Sequence, residues 1–191
     1  MDSNFSKIAP IFKYYQYAGF DQSMQKIADS VKVTKKTLFN RYKNKENLEY
    51  NLMNYWQFQS CQRVVQRMEY ANNAVEKLLI YLFELQYCKN HEWFFFQKMR
   101  ELFLEKTEQM QPLFILQLEK IFNMGTKEEL FIFDSDPKVF AYFFQFNSLY
   151  VLLSSSTINT DYISFLLSPI LTKKGKIVFQ DIDIEQIFKY F

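Results

Sequence analysis

The stretch Ser23–Tyr42, SMQKIADSVKVTKKTLFNRY, sets the strongest constraint on what this chain can fold into. Met24, Ile27, Ala28 and Val31 recur at helical spacing behind Ser23, whose side-chain oxygen suits an N-cap. A second short helix restarts at Thr34, another capping residue. Val33 stands just outside it and Leu38 occupies its fourth helical position, the pair that forms a hydrophobic staple. Leu38 and Tyr42 continue that apolar face, with Phe39 assigned to the core beside Leu38, while Lys35, Lys36, Thr37, Asn40 and Arg41 fall to the other side. Two short helices joined by a tight connection make a helix-turn-helix.

Lys35 and Lys36 place two cations in the first turn of the second helix, where each opposes the helix dipole by roughly 0.3–1 kcal/mol. A cost of that sign implies an anion at the same place. The next helix start repeats the arrangement, because Asn44 can cap a helix beginning at Lys45. A DNA phosphate satisfies both the free N–H groups and the misplaced charge. Residues 1–47 carry nine Lys or Arg against four Asp or Glu, a balance of +5, so the remaining residues carry −3 of the net +2. This asymmetry assigns phosphate contact to the N-terminal segment; without the helix spacing, a solvated basic surface would account for it equally well.

Gly19-Phe20, Ser23-Met24-Gln25-Lys26-Ile27-Ala28 and the run from Val33 through Leu48 resemble the N-terminal domain of the TetR family of bacterial transcriptional regulators. The resemblance is dense over about the first 50 residues and architectural beyond them. It implies that helix 1 packs over the helix-turn-helix and that the helix of Thr34–Tyr42 enters the DNA major groove. It also implies a larger helical C-terminal domain that dimerises and holds an inducer. Lys32 stands where the family usually has Gly, at a cost of about 1–2 kcal/mol if that backbone is left-handed. Phe39 stands where the family commonly has Tyr, so a hydroxyl contact to phosphate is lost. On this reading Lys35, Lys36, Thr37, Asn40 and Arg41 face the major groove, with Thr34, Tyr42, Lys43 and Lys45 nearer the DNA backbone.

Composition narrows the alternatives. An apolar share of 49% with 22 Phe and 13 Tyr is incompatible with a mostly disordered chain, and 3 Gly and 4 Pro leave few breaks for a strand-and-turn fold. Cys61 and Cys88 lack a CxxC arrangement and read as packed thiols in a reducing compartment. No signal-peptide pattern opens the chain, and no apolar run reaches the roughly 18–20 residues that span a bilayer. The expectation is therefore a cytoplasmic protein with no membrane contact. His91 has no Cys/His cluster around it, and no nucleophile–base pair or phosphate loop appears. The chain is read as having no enzyme activity, metal site or cofactor.

Taken in order, Ser6–Ala18 reads as helix 1, with Pro10 near its start and Gly19 closing it. A long helix follows from Lys45 to Met68. Further helices are expected over Ala74–Cys88, from Trp93 to about Glu108, and over Leu113–Met124, the last stopped by Gly125. Thr126–Asp136 reads as a connection. Asp136-Pro137 opens a strong helix to Ser154, and Tyr162–Leu167 reads as another. In the tail, Lys173–Lys176 around Gly175 reads as a basic turn, Ile177–Phe179 as a short extended element, and Ile182–Phe191 as a last helix.

The fold class expected is all-α. Residues 1–47 form a three-helix helix-turn-helix DNA-binding domain and residues 48–191 a helical ligand-binding and dimerisation bundle. The partners implied are a double-stranded DNA operator, a second copy of the chain, and an apolar or aromatic small-molecule inducer. The breadth of apolar surface on the Asp136–Ser154 helix motivates a homodimer built chiefly from that helix and part of the tail, although a tail folded back over the helix would cover the same surface. The excess of bulky rings motivates a pocket lined by Trp56, Gln59, Phe83, Cys88, Trp93, Met99, Phe103, Phe144 and Asn147. The composition is also compatible with a core filled by the same rings, and an adaptor that binds only proteins would explain the apolar tail without the lysines of the third helix.

Overall fold

The computed structural model describes residues 3–104, 113–132, 136–154 and 159–188. Helices dominate: α1 Ser3–Ala18, α2 Met24–Ser30, α3 Lys35–Tyr42, α4 Lys45–Met68, α5 Ala74–His91, α6 Trp93–Leu104, α7 Leu113–Lys127, α8 Pro137–Ser154, α9 Thr160–Leu167, α10 Lys173–Asp181 and α11 Ile184–Phe188. Among the described residues the one extended feature is an isolated antiparallel bridge, Phe131 with Leu171. The chain divides into two compact units, one of residues 1–59 and 91–110, the other of residues 60–90 and 111–191. The continuous helix α4 contributes to both. The expected continuation to Glu108 and the last residues to Phe191 lie outside the described residues, as does the side chain of Phe103.

The first unit is organised around aromatic packing behind the helix-turn-helix. Phe95 of α6 meets Phe12 of α1 at 4.6 Å between ring centroids, Phe20 at 5.2 Å and the stacked indole of Trp56 at 6.1 Å. That indole donates to Glu92 Oε2 at 2.6 Å, so the buried carboxylate just before α6 is satisfied rather than stranded. Ile8, Ile11, Phe12 and Tyr15 form the buried stripe of α1, and Gly19 ends the helix at φ +69° with the Phe94 ring packed where a side chain would stand. The Tyr15 hydroxyl is buried with no hydrogen-bond partner, and burial holds its pKa well above the ordinary phenol value. Pro10 lies inside α1 and faces solvent.

In the second unit α5 is buried nearly all round, with Leu78, Leu79, Tyr81, Leu82, Phe83 and Leu85 inside. Its Glu84 carboxylate is buried and receives Arg63 Nε at 2.9 Å and Arg67 from α4. Both guanidiniums lie over the Tyr87 ring, at 5.2 and 5.4 Å. Burial pushes the Glu84 pKa up and the two arginines pull it back, an arrangement that is stable only while the pair is complete. Tyr81 donates to Gln145 of α8, and Phe122 of α7 packs edge-on against Phe131, Phe140 and Phe144.

Three features of the second unit differ from the sequence expectation. The helix of Leu113 runs past Gly125 to Lys127, because that glycine is not a terminator: a Cβ there would sit 2.0 Å from a Phe131 ring carbon. α7 instead ends in a Schellman arrangement, with Leu130 N–H donating to the Gly125 carbonyl at 2.8 Å and Glu129 at φ 62°. Lys173–Lys176 and Ile177–Phe179 are neither turn nor strand but one helix, α10, capped by Thr172, whose Oγ1 accepts from Gly175 N at 3.0 Å. Gly175 lets the first turn of α10 approach the Leu130 carbonyl, which would lie 2.1 Å from an added Cβ. Glycine here marks close approach rather than a break.

Candidate nucleic-acid interface

The helix-turn-helix is held by local hydrogen bonds that the sequence specifies. Ser23 Oγ accepts from Lys26 N at 3.2 Å and opens α2, and Thr34 Oγ1 accepts from Thr37 N at 3.1 Å and opens α3. Between them α2 closes in a Schellman motif, Lys32 N donating to the Asp29 carbonyl and Val33 N to the Ala28 carbonyl at 3.0 Å. Lys32 therefore occupies the left-handed position, at φ 56°, that the Lys-for-Gly exchange implied. From α3 to α4 the chain passes through a γ-turn centred on Lys43, φ 65° and ψ −49°, with Asn44 N donating to the Tyr42 carbonyl at 2.8 Å. Asn44 Oδ1 then accepts from Asn47 N at 2.8 Å and caps α4.

Burial sorts the side chains of α3 into two faces. Leu38 is fully buried and Tyr42 is buried at 4% exposure, and Ile27 and Ala28 of α2 are fully buried as well. Thr34, Lys35, Lys36, Asn40, Arg41 and Lys43 are exposed, and Thr37 and Lys45 half-buried. Of the nine residues expected at DNA, Tyr42 is thus the one whose ring lies in the core; the Arg41 guanidinium lies 5.9 Å from that ring. The first turn of α3 contains no acidic residue. Its N–H groups and two lysines make a locally positive helix start.

Phe39 departs from expectation. It is 40% exposed rather than part of the core, with the Lys35 ammonium 5.7 Å from its ring centre. Phe39 follows Lys35 by four residues and Lys36 by three, the spacing of one helix face, so the signal for its exposure is in the sequence. Assigning it to the core with Leu38 placed it on the wrong side of that spacing.

The residues expected to line a ligand pocket distribute over both units. In the first, Trp56 and Met99 are buried, Gln59 is half-buried, and Trp93 is 43% exposed and stacked on Phe96 at 6.3 Å. In the second, Phe83, Cys88 and Phe144 are buried, Cys88 lies 3.5 Å from Glu84 Oε1, and Asn147 Nδ2 donates to the Phe143 carbonyl at 2.7 Å. Burial raises the Cys61 thiol to about 12, so it is not a nucleophile at neutral pH. Two clefts open on the second unit. One, of about 320 Å³, lies between the α4–α5 corner and α10–α11; the other, of about 350 Å³, lies among α4, α5 and α7. Neither is lined by any of those nine residues. Among the described residues no group of His, Cys, Asp and Glu could hold a metal ion, and no helix is long and apolar enough to cross a membrane.

The sequence matches no protein-family model and no curated protein. Solved structures do resemble the chain. A TetR-family regulator from Agrobacterium tumefaciens superposes with a TM-score of 0.62 at 13% identity, over 89% of this chain and 100% of that one. The fold is that of the TetR family. AibR in complex with isovaleryl coenzyme A and operator DNA gives a TM-score of 0.57 at 21% identity, over 87% of this chain and 97% of that one. The ketosteroid transcriptional regulator KstR2 of Mycobacterium tuberculosis also gives 0.57, at 14% identity, over 91% and 97%. Within the TetR-type fold of this chain, α2 and α3 form the helix-turn-helix, and α1, the first part of α4 and α6 belong to the same compact unit.

Proposed function

We propose that this chain is a ligand-responsive, DNA-binding transcriptional regulator, a repressor that binds a pseudo-palindromic operator as a homodimer. The observation that carries this reading is the division of α3. Its buried face is Leu38 and Tyr42, and its open face sets cationic and hydrogen-bonding side chains around the exposed Phe39 ring, at a helix start with no acid. Lys35, Lys36, Thr37, Asn40 and Arg41 meet base edges, and Thr34, Lys43 and Lys45 meet phosphates. The exposed stripe Val139, Tyr142, Phe143, Phe146 and Tyr150 on α8 supplies the dimer surface. Two copies of α3 about one DNA turn apart then read two half-sites.

The likeness to a regulator solved with isovaleryl coenzyme A and operator DNA supports both parts of the reading. A small molecule bound in the helical unit acts through α4, whose first residue, Lys45, belongs to the DNA-facing set and whose last turn lies in the second unit. Release of DNA requires the ligand to favour the DNA-incompetent arrangement, by about 1.4 kcal/mol for each tenfold loss of affinity. Selection of DNA from a random pool by the full chain, followed by sequencing, tests the proposal. Enrichment of an inverted repeat is expected, and recovery of no preferred sequence would overturn it.

A further inference from the structure

The cleft of about 350 Å³ among α4, α5 and α7 combines a floor and a rim of different chemistry. Met68 and Ile121 are buried at its base, Met124 is half-buried, and Val65 is 44% exposed although it stands on a helix whose Val64 is fully covered. Two flexible thioethers beside two branched side chains make an adaptable apolar surface. Lys77 of α5 and Lys120 of α7 line the same cleft. Lys45, Lys98 and Lys174 each have a carboxylate within ion-pair distance, whereas neither Lys77 nor Lys120 does among the described residues. Glu76, next to Lys77 in sequence, is occupied by Asn72 and Asn73. Glu69 is the single carboxylate in the lining, so the cleft carries a net positive charge over an apolar floor.

We propose that this cleft binds an amphiphilic monocarboxylate, its hydrocarbon chain along Val65, Met68, Ile121 and Met124 and its carboxylate held by Lys77 and Lys120. The volume lies at the lower end of small-molecule sites, which suits a chain of moderate length rather than a folded partner. Charge selects the head group: a neutral head leaves the two ammonium groups without a counter-charge, and a cationic head is repelled by both. The regulatory consequence rests on the function proposed above. Val65 and Met68 lie in the last turns of α4, a helix of 24 residues and about 36 Å, so a ligand that displaces them moves the helix that begins at Lys45.

Titration calorimetry of the full chain with decanoate, decanol and decylamine tests the assignment. Decanoate is expected to give a single-site isotherm, decanol to bind about tenfold or more weakly, and decylamine not to bind. Exchange of both lysines, Lys77→Glu with Lys120→Glu, should cost decanoate about tenfold or more while leaving the melting temperature close to wild type, since Lys120 is exposed, Lys77 is half-buried and neither has an ion-pair partner among the described residues. Val65→Trp should block the cleft from its exposed side. No binding of decanoate to wild type, equal binding of decanol, or undiminished binding to both variants would each overturn the site. A separate gel-shift arm reads operator release by decanoate. If the protein selects no operator, the regulator reading fails while the calorimetry still decides the cleft, so the two failures are distinct.

Discussion

Helices α3 and α8 both leave a face uncovered, and the chemistry of the two faces is opposite. α3 buries two residues and turns Lys35, Lys36, Asn40 and Arg41 to solvent. α8 buries Ala141, Phe144, Leu149 and Leu152 yet exposes Val139 at 62%, Phe143 at 62%, Phe146 at 48% and Tyr150 at 66%. A charged face is stable in water by itself, so only its placement at a capped helix start marks it as a binding surface. An aromatic stripe is costly in water, and its exposure is the signal. The first face fits phosphates and base edges, and the second fits another apolar surface, most simply a copy of itself.

Breaking the α8 face should have the largest effect. Phe143→Asp combined with Tyr150→Asp is expected to weaken the dimer by at least about 2 kcal/mol, roughly 30-fold in its dissociation constant. Operator affinity should fall with it although α3 is untouched. Sedimentation equilibrium and gel shift at matched concentrations check this. A dimer that survives the exchange would remove the proposed role of the stripe and leave the contrast with α3 without content.

The α3 face should respond by specificity. Asn40→Ala is expected to lose about 1–3 kcal/mol of discrimination at one position of each half-site while the dimer persists. Selection and sequencing with the variant should show that position relaxed. A uniform loss over all sequences would instead place Asn40 at a phosphate.

The sequence made the α3 face legible because its chemistry is local. Caps at Ser23, Thr34 and Asn44, apolar spacing and the lysines all lie within a few residues of what they act on, and each cap forms as a hydrogen bond. What the sequence concealed depends on distant partners. Gly125 reads as a helix stop until Phe131 is found packed on it, and Gly175 reads as a turn until the Leu130 carbonyl is found beside it. The same holds for polar groups: nothing local predicts that Glu84 gathers Arg63 and Arg67, or that Trp56 bonds to Glu92 across 36 positions of sequence. For the aromatic residues proposed as pocket lining, composition gives the number of rings and no indication of which face a neighbour covers.

A smaller effect separates charge from base reading within the first unit. Lys45→Ala should weaken binding to all DNA sequences alike and reduce the slope of log affinity against log salt by about one charge. The Lys45 ammonium is 3.4 Å from Glu49, a half-buried i,i+4 pair worth only a few tenths of a kcal/mol, so the pair does not prevent it from turning to a phosphate. Behind this surface, Tyr15→Phe should raise stability by about 1 kcal/mol, because it removes a buried hydroxyl that has no partner. Urea unfolding reads the gain, and a loss would mean that an ordered water satisfies the hydroxyl.

The smallest effect isolates the turn that aims α3. Lys32 holds φ 56° at the end of α2, a conformation that costs an L-residue about 1–2 kcal/mol, whereas glycine adopts it without a Cβ clash. Glycine also loses more freedom on folding, by roughly 0.5–1 kcal/mol, so Lys32→Gly should stabilise the protein by about 0.5–1 kcal/mol net. The Schellman bonds from Lys32 N and Val33 N use backbone atoms alone and survive the exchange. Because the Lys32 side chain is not among the residues assigned to DNA, operator affinity and salt slope should remain at the wild-type values while the urea midpoint rises. Lys43 cannot serve as this control, since its γ-turn and its charge both belong to the edge proposed to face DNA. A rise in stability accompanied by a lower salt slope would show that Lys32 also reaches phosphate, extending the charged face of α3 back across the turn into α2.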